Sequence, residues 1–233
     1  MADRAVGLIL AALDVDIDNG AAWNRWYDLE HLAPNIALPG ISTGHRYVAT
    51  PDLHESRVVD SGDPVWGGGR SVYLTWYATT VDPSEAIATM TVRRDELEAE
   101  GRMDGAGART VRTGDALRLV SSTSDPALRL ADDDLVHVGH RGLRLVLDRE
   151  ERPASLGPHV VASLRFASAF KPGLFAELQL LDVPAAGALA ELRAADPERS
   201  AVVDAGFDRI RPLEHEFLAS IDASDLPRTV ADD

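Results

Sequence analysis

Apolar and polar positions divide this chain into short elements of alternating character. Residues 6 to 15, Val-Gly-Leu-Ile-Leu-Ala-Ala-Leu-Asp-Val, form a continuous apolar run and predict a central strand covered on both faces. Ile41 to Ala49 alternates instead, with Ile41, Thr43, His45 and Tyr47 on one face and Ser42, Gly44, Arg46 and Val48 on the other. His45 and Arg46 therefore point opposite ways, one toward the helices and one toward an interior, and the alternation does not say which is which. Ser71 to Thr80, rich in Val, Tyr, Thr and Trp, predicts a third strand with Leu74 and Trp76 opposite Tyr73, Thr75 and Tyr77. Thr110 to Ser122 supplies a fourth. Asp18 or Asn19 can cap a helix that Pro34 ends, and Asp82-Pro83-Ser84-Glu85 opens a second helix running to about Glu100. The order is β-α-β-β-α-β over residues 1–122, an α+β unit.

On the first helix Leu32, Leu29, Ala22, Trp26 and Trp23 form one apolar arc with Tyr27 at its edge. Glu30 falls inside that arc and His31 just outside it. A carboxylate on a buried face needs a cation or a proton, because burying an unpaired charge costs several kcal/mol. Residues 51 to 70 read as a long connection with a short strand around Arg57 to Val59; Trp66 beside Gly67-Gly68-Gly69 is either the tip of a lid or an exposed aromatic on a floppy hairpin.

Ser121 to Pro126 and Asp132-Asp133-Asp134 frame a polar junction. Beyond it the pattern predicts strands at 135–148, 159–170 and 173–182, a helix near 184–196 and a last strand near 210–220. The order resembles that of the first half, with its first helix reduced to the loop Glu151 to Gly157. Two domains follow, 1–122 and 135–221, with residues 222–233 as a polar, disordered tail.

Trp23, Trp26, Tyr27, Glu30 and His31, with Pro34, then Pro39-Gly40 and Arg46-Tyr47, make up a W-x-x-W-Y-x-x-E-H pattern followed by P, P-G and R-Y. This stretch resembles the conserved segment of the dimeric α/β-barrel superfamily, in particular its EthD-like branch, although Pro34 stands one position later than the usual H-x-P. The resemblance covers residues 1 to about 100. It implies a ferredoxin-like unit whose sheet closes against a second into a barrel with a ligand cavity inside; here two such units in tandem would form a pseudo-dimeric α/β barrel. Relatives include cyclases, lyases, isomerases and oxygenases, so no single reaction is implied.

Charge narrows the partners. Basic residues number 23 against 38 acidic ones, for a formal net charge of −15, which opposes binding to nucleic acid or to an anionic membrane surface. There is no cysteine, which removes thiolate nucleophiles, disulfides and Cys-ligated metals. The N-terminus has no signal-peptide pattern and no apolar run approaches the ~20 residues that span a bilayer, so a soluble cytoplasmic protein is expected. It is expected to be a monomer with an internal pseudo-dimer, or a homodimer.

Candidate chemistry centres on histidine. His31 is the first choice and His45 the second for moving a proton, with Glu30 and Arg46 beside them and Tyr27, Tyr47 or Tyr73 stabilising a developing enolate or phenolate. Adjacent residues on a helix diverge by about 100 degrees, so Glu30 and His31 cannot pair with each other. Their structural alternative is an ion pair of Glu30 with an arginine, fastening helix to sheet, and a partly exposed His31. Trp23, Trp26, Tyr27, Tyr47, Trp66, Tyr73, Trp76, Tyr77 and His215 are candidates to line a substrate site, and each is also an ordinary core residue. His215, read on a last strand, points inward with Leu213 and Phe217. The remaining histidines of the second half, His137, His140 and His159, stand in no H-x-H or H-E-x-x-H pattern, so no metal is expected. Residues 84 to 100 contain no histidine, and some haem-binding relatives draw their ligand from that helix; no cofactor is expected. The reading is a cofactor-independent cyclase, lyase, isomerase or oxygenase acting on a hydrophobic aromatic or polyketide-like molecule, possible in specialised metabolism. The alternative is a non-catalytic carrier with the same cavity.

Overall fold

A computed structural model describes residues 4–103, 107 and 109–222. Eight strands, β1 (Gly7–Val15), β2 (Ile41–Val48), β3 (Tyr73–Thr79), β4 (Arg109–Ser124), β5 (Gly142–Asp148), β6 (Val160–Ser168), β7 (Phe175–Leu181) and β8 (Ala201–Ile210), close into an antiparallel barrel in the order β1-β3-β2-β8-β5-β7-β6-β4. Around the ring the first four strands run β4-β1-β3-β2 and the last four run β8-β5-β7-β6, the same sequence of positions. Two seams join them. At one, Arg46, Tyr47 and Val48 pair with Ile210, Arg209 and Asp208; at the other, β4 and β6 pair from Leu117↔Ser168 to Ser124↔Ala162.

Alternate residues of every strand point inward, and the apolar ones fill the interior. Leu8 and Leu10 of β1, Tyr47 of β2, Leu74 and Trp76 of β3, Leu143 and Leu145 of β5, Phe166 of β6, Leu178 of β7 and Phe207 of β8 belong to one buried cluster. An eight-stranded barrel is only just wide enough for its own side chains to fill. The expected hollow is therefore occupied by large side chains such as Trp76, Tyr47, Phe166 and Phe207, each under 2 % exposed.

Trp66 also joins this cluster, at 5 % exposure, so it is neither a lid tip nor an exposed hairpin aromatic. Asp63 accepts from the amides of Val65 and Trp66 at 2.8 and 2.7 Å, and Arg57 donates to the carbonyls of Trp66 and Arg70 at 2.9 and 2.7 Å. Gly68 and Gly69 take φ angles of 59° and 77°, which glycine adopts without strain. The connection is a built plug: helix α3 (Pro51–Glu55) opens it, and among the described residues the ladder contact near Arg57 is a single bridge, Val58↔Asp204, rather than a strand.

Outside the first four strands lies a helical stretch of three segments: helix α1 (Gly20–Trp26), a π-helical turn (Tyr27–Leu32) and helix α2 (Ala33–Ile36). It passes through Pro34, where the sequence predicted a stop. The wider π winding immediately before Pro34 relaxes the i→i−4 pattern that a proline ring and missing N–H disrupt. Helix α4 (Pro83–Ala99) packs on β1 and β4, and Asp82 caps it by accepting from the Ser84 amide at 2.9 Å.

The second half is covered more thinly. Residues 149–159 form a loop where the first half has its long helical stretch, as the pattern predicted, and helix α5 (Leu189–Ala195) lies between β7 and β8. The strand predicted at 135–148 begins only at Gly142, after a 3-10 turn at Asp132–His137. The last strand is 201–210 rather than 210–220; Pro212 cannot donate to a ladder, and beyond it Leu213 has a φ of 62° and is 53 % exposed. His215 therefore stands in a turn that leads to helix α6 (Leu218–Asp222), not on a strand. The proposed tail at 223–233 lies outside the described residues. Among the described residues no helix is long and apolar enough to cross a membrane.

Candidate functional site

The first helical stretch does not bury the face that hydrophobicity alone selects. Trp23, Asn24, Tyr27 and Asp28 face inward, Leu29 is 44 % exposed, and Glu30 is a half-exposed partner of Arg102 at 2.7 Å. The buried carboxylate of this helix is Asp28. Its cation is Arg46, which β2 directs outward against the helix, leaving His45 and Tyr47 to point inward. Arg46 donates to the Asp28 carboxylate, to Asn24 Oδ1 and, at 3.2 Å, to the Asn24 carbonyl, and its guanidinium lies 4.9 and 4.4 Å from the ring centres of Trp23 and Tyr27. The other Asp28 oxygen accepts from the Leu213 amide at 2.8 Å and contacts His215 Nε2 at 2.9 Å, tying the chain after β8 to the helix. Asn24 Nδ2 donates to the Tyr73 hydroxyl at 3.0 Å, and the hydroxyls of Tyr27 and Tyr77 meet at 3.2 Å. Trp23, Tyr27, Tyr73 and Tyr77 thus pack between helix and sheet, outside the barrel, and Arg46 is committed to Asp28. Asn24 and Asp28, one helical turn apart on the same face as Tyr27, were the available signal; a wheel built on hydrophobicity discards them.

His31 stands at the open edge of this packing. Its ring stacks on Trp26 with centroids 5.2 Å apart and meets Tyr27 edge-on at 4.7 Å. Nδ1 is buried and has no hydrogen-bond partner among the described residues. Burial, with Arg109 and Arg46 nearby, lowers the histidine to about 4, so the imidazole is neutral at pH 7. Arg109, at the start of β4, lies 5.6 Å over the Trp26 ring, and among the described residues no carboxylate forms an ion pair with it. Trp26 Nε1 donates to the Arg102 carbonyl at 2.8 Å, which fixes this aromatic wall. His31, Trp26, Tyr27 and Arg109 together form an aromatic niche with a neutral imidazole and an uncommitted guanidinium.

His45, Tyr47 and Trp76 are brought together elsewhere, inside one end of the barrel. Two residues that the sequence did not single out complete that group. The Tyr47 hydroxyl lies 2.6 Å from His140 Nε2, His140 Nδ1 lies 2.7 Å from the Val138 carbonyl, and Arg209 donates to His45 Nδ1 at 2.9 Å. The carbonyl fixes the proton of His140 on Nδ1, so Tyr47 donates to Nε2. Burial and Arg209 lower His45 to about 3, and burial lowers His140 to about 4 despite its bond to Val138. Arg209 was hidden because its strand was placed ten residues late; the inward alternation Val203, Ala205, Phe207, Arg209 would have shown it.

A third polar region covers the outer face of the second half. Arg144 pairs with Asp204 at 2.8 Å, Arg165 with Asp148 at 3.0 Å, and Arg199 with both Asp148 and Glu177 at 2.8 Å, all with side chains almost fully buried. These guanidinium groups hold the carboxyls of Asp148, Glu177 and Asp204 below their ordinary range against the opposing effect of burial. Over this face, where no helix lies between β5 and β6, opens a cleft of about 380 Å³ lined by Arg144, Arg152, Ser155, Gln179, Leu192 and Asp196 among others. Charged residues set singly among apolar ones, as in Leu143-Arg144-Leu145 and Leu164-Arg165-Phe166, were the sequence signal for it. Among the described residues no group of three or more His, Asp or Glu side chains is placed to hold a metal ion.

No family model matches the chain, and no curated protein matches its sequence. Among solved structures it is similar to a protein named as a candidate chlorite dismutase, with a TM-score of 0.53 and 10% identity over 93% of this chain and 98% of that one. Proteins named as candidate monooxygenases from Lactobacillus acidophilus and Fusobacterium nucleatum align with TM-scores of 0.45 at 6% identity, each over 90% of this chain and over 95% and 93% of their own lengths. At such identity the likeness to the first is one of fold. The chain shares with it a mixed α+β barrel architecture.

Proposed function

We propose that the chain is a cofactor-independent small-molecule enzyme, built from two ferredoxin-like units in tandem, that moves a proton on an aromatic substrate at the His31 niche. The repeated strand order of the two halves supports the tandem arrangement. The observation that carries the function is the pairing of a neutral imidazole, one of whose ring nitrogens has no hydrogen-bond partner among the described residues, with the guanidinium of Arg109, which forms no ion pair among them, across the Trp26 face. A substrate would meet the partly exposed His31 ring and Arg109 at the edge of the buried Trp26 indole. Its acidic C–H or O–H proton passes to His31, and the electron pair stays on the substrate as an enolate or phenolate whose oxygen faces Arg109. Arg109 takes the role first assigned to Arg46, which is occupied by Asp28. Glu30 belongs to the ion pair with Arg102 and has no part in this step.

The test is turnover of aromatic compounds that copurify with the protein or are found by screening, followed as exchange of substrate protons for solvent deuterium. His31→Ala should lose on the order of 100-fold or more while keeping the native circular dichroism spectrum, as removal of a general base does. Saturable binding with no exchange in the wild type would identify a carrier instead. Undiminished exchange in both His31→Ala and His45→Ala would refute the acid–base assignment.

A further inference from the structure

At the barrel end occupied by His45 and His140, we propose a binding site for a small carboxylate, with Arg209 as its anchor. This site is separate from the His31 niche and does not depend on it.

A buried or half-buried guanidinium needs partners for its charge and its donors; Arg57 spends its own on the carbonyls of Trp66, Arg70 and Ser71, and six others meet a carboxylate. Arg46 is met by Asp28, Arg112 by Asp14, Arg144 and Arg193 by Asp204, and Arg165 and Arg199 by Asp148. Arg209 is treated differently. It is half-buried, and its two hydrogen bonds go to neutral acceptors, His45 Nδ1 at 2.9 Å and the His140 carbonyl at 3.4 Å. Among the described residues no carboxylate forms an ion pair with it. A guanidinium carries five N–H donors in a planar fork, so most of its capacity is unused. In a chain of net charge −15 an acidic neighbour would be easy to supply, and the groups around Arg209 are instead imidazoles and a phenol.

The surroundings favour an anion in two further ways. Because Arg209 donates to His45 Nδ1, the neutral His45 ring carries its proton on Nε2, on the side of the Val136 backbone, and the ring is set edge-on to Trp76 at 4.6 Å. Tyr47 is fixed against His140, so the apolar wall formed with Trp76 is rigid and the unused donors of this end belong to Arg209. His45 and Arg209 are both partly exposed, which opens this end to solvent. A planar monoanion matches the fork of one guanidinium better than a tetrahedral dianion does, since two parallel N–H groups meet two carboxylate oxygens.

The experiment titrates sodium acetate, inorganic phosphate and sodium chloride, at constant ionic strength, into the full chain labelled with ¹⁵N at histidine, and follows the ring nitrogens of His45 and His31. Acetate should shift His45 saturably and leave His31 unmoved. Arg209→Met should weaken acetate at least tenfold, and Arg209→Lys should retain part of the affinity; if Arg209→Met is unfolded by circular dichroism, Arg209→Gln takes its place. Equal shifts with chloride, no saturation with acetate, or unchanged affinity in the neutral variant would overturn the site. Saturation by phosphate without acetate would overturn the carboxylate class.

Discussion

Replacing Arg46 by methionine removes the guanidinium beneath the first helical stretch and leaves a comparably long apolar side chain between Trp23 and Tyr27. What remains is Asp28, with a side chain only 2 % exposed, accepting from the Leu213 amide and facing His215 but without its counter-charge. Breaking a buried pair by deleting one partner typically costs about 3–5 kcal/mol, most of it the cost of the stranded charge. Against a total stability of roughly 5–15 kcal/mol that is a large fraction. In urea, with a slope of roughly 3 kcal/mol/M, the midpoint should fall by between about 1 and 2 M at constant slope. Tryptophan fluorescence is a direct readout, because Trp23 and Trp26 flank the change. The double variant Asp28→Leu/Arg46→Met should be less damaged than the sum of the two single variants, since it strands no charge and gives up mainly the hydrogen bonds to Leu213 and His215. A loss below about 1 kcal/mol in Arg46→Met, the value of an exposed pair, would refute the reasoning. So would strict additivity in the double variant.

Three further outcomes follow from the same structure. His31 and His140, lowered to about 4, and His45, lowered to about 3, resist protonation in the fold but accept protons once unfolded, near 6.5. Their contribution is complete above pH 6.5 and is lost as the pH falls toward 4, by about 1.4 kcal/mol per pH unit for each histidine, so Tm should drop steeply between pH 6.5 and 5; a flat profile there would contradict their burial. Trp66→Ala should cost about 3–5 kcal/mol by calorimetry, because its ring fills the barrel end and leaves a cavity when truncated, whereas an exposed hairpin aromatic would cost almost nothing. Glu30→Gln should change stability by less than about 1 kcal/mol, as its pair with Arg102 is half-exposed; a larger loss in urea unfolding would restore the buried role first assigned to it.

The strands of the first half were legible because each presents a clear period: the apolar run before Asp14, the alternation around Tyr47 and the β-branched and aromatic residues around Trp76. The last strand was misplaced because Leu213, Phe217 and the charged residues between them imitate an alternating strand, while Pro212, which ends it, was given too little weight. The helix face was misread for a different reason. Hydrophobicity orders residues by their cost of burial alone, and Asp28 is buried because Arg46, distant in sequence, compensates it. The same holds for Arg144, Arg165 and Arg199, each tolerable inside only with its carboxylate. Trp66 escaped because three neighbouring glycines read as looseness, although here they bend the chain sharply enough to seat the indole. His31 and His45 were visible as chemistry, but Arg109 and Arg209, which act on them, depend on strand ends that periodicity places poorly.

Closure of the sheet has a consequence for how the polypeptide can be divided. Every strand has a hydrogen-bonded neighbour on both sides, so no row of backbone amides and carbonyls is left as a template for other chains. Cut in two at the polar linker, the molecule would bare four such rows at once, β2 and β4 on one piece and β6 and β8 on the other. Each fragment would then carry both its own solubility problem and the sole surface that relieves it, which makes reassociation of the pieces, rather than independent folding, the natural fate of a nicked molecule.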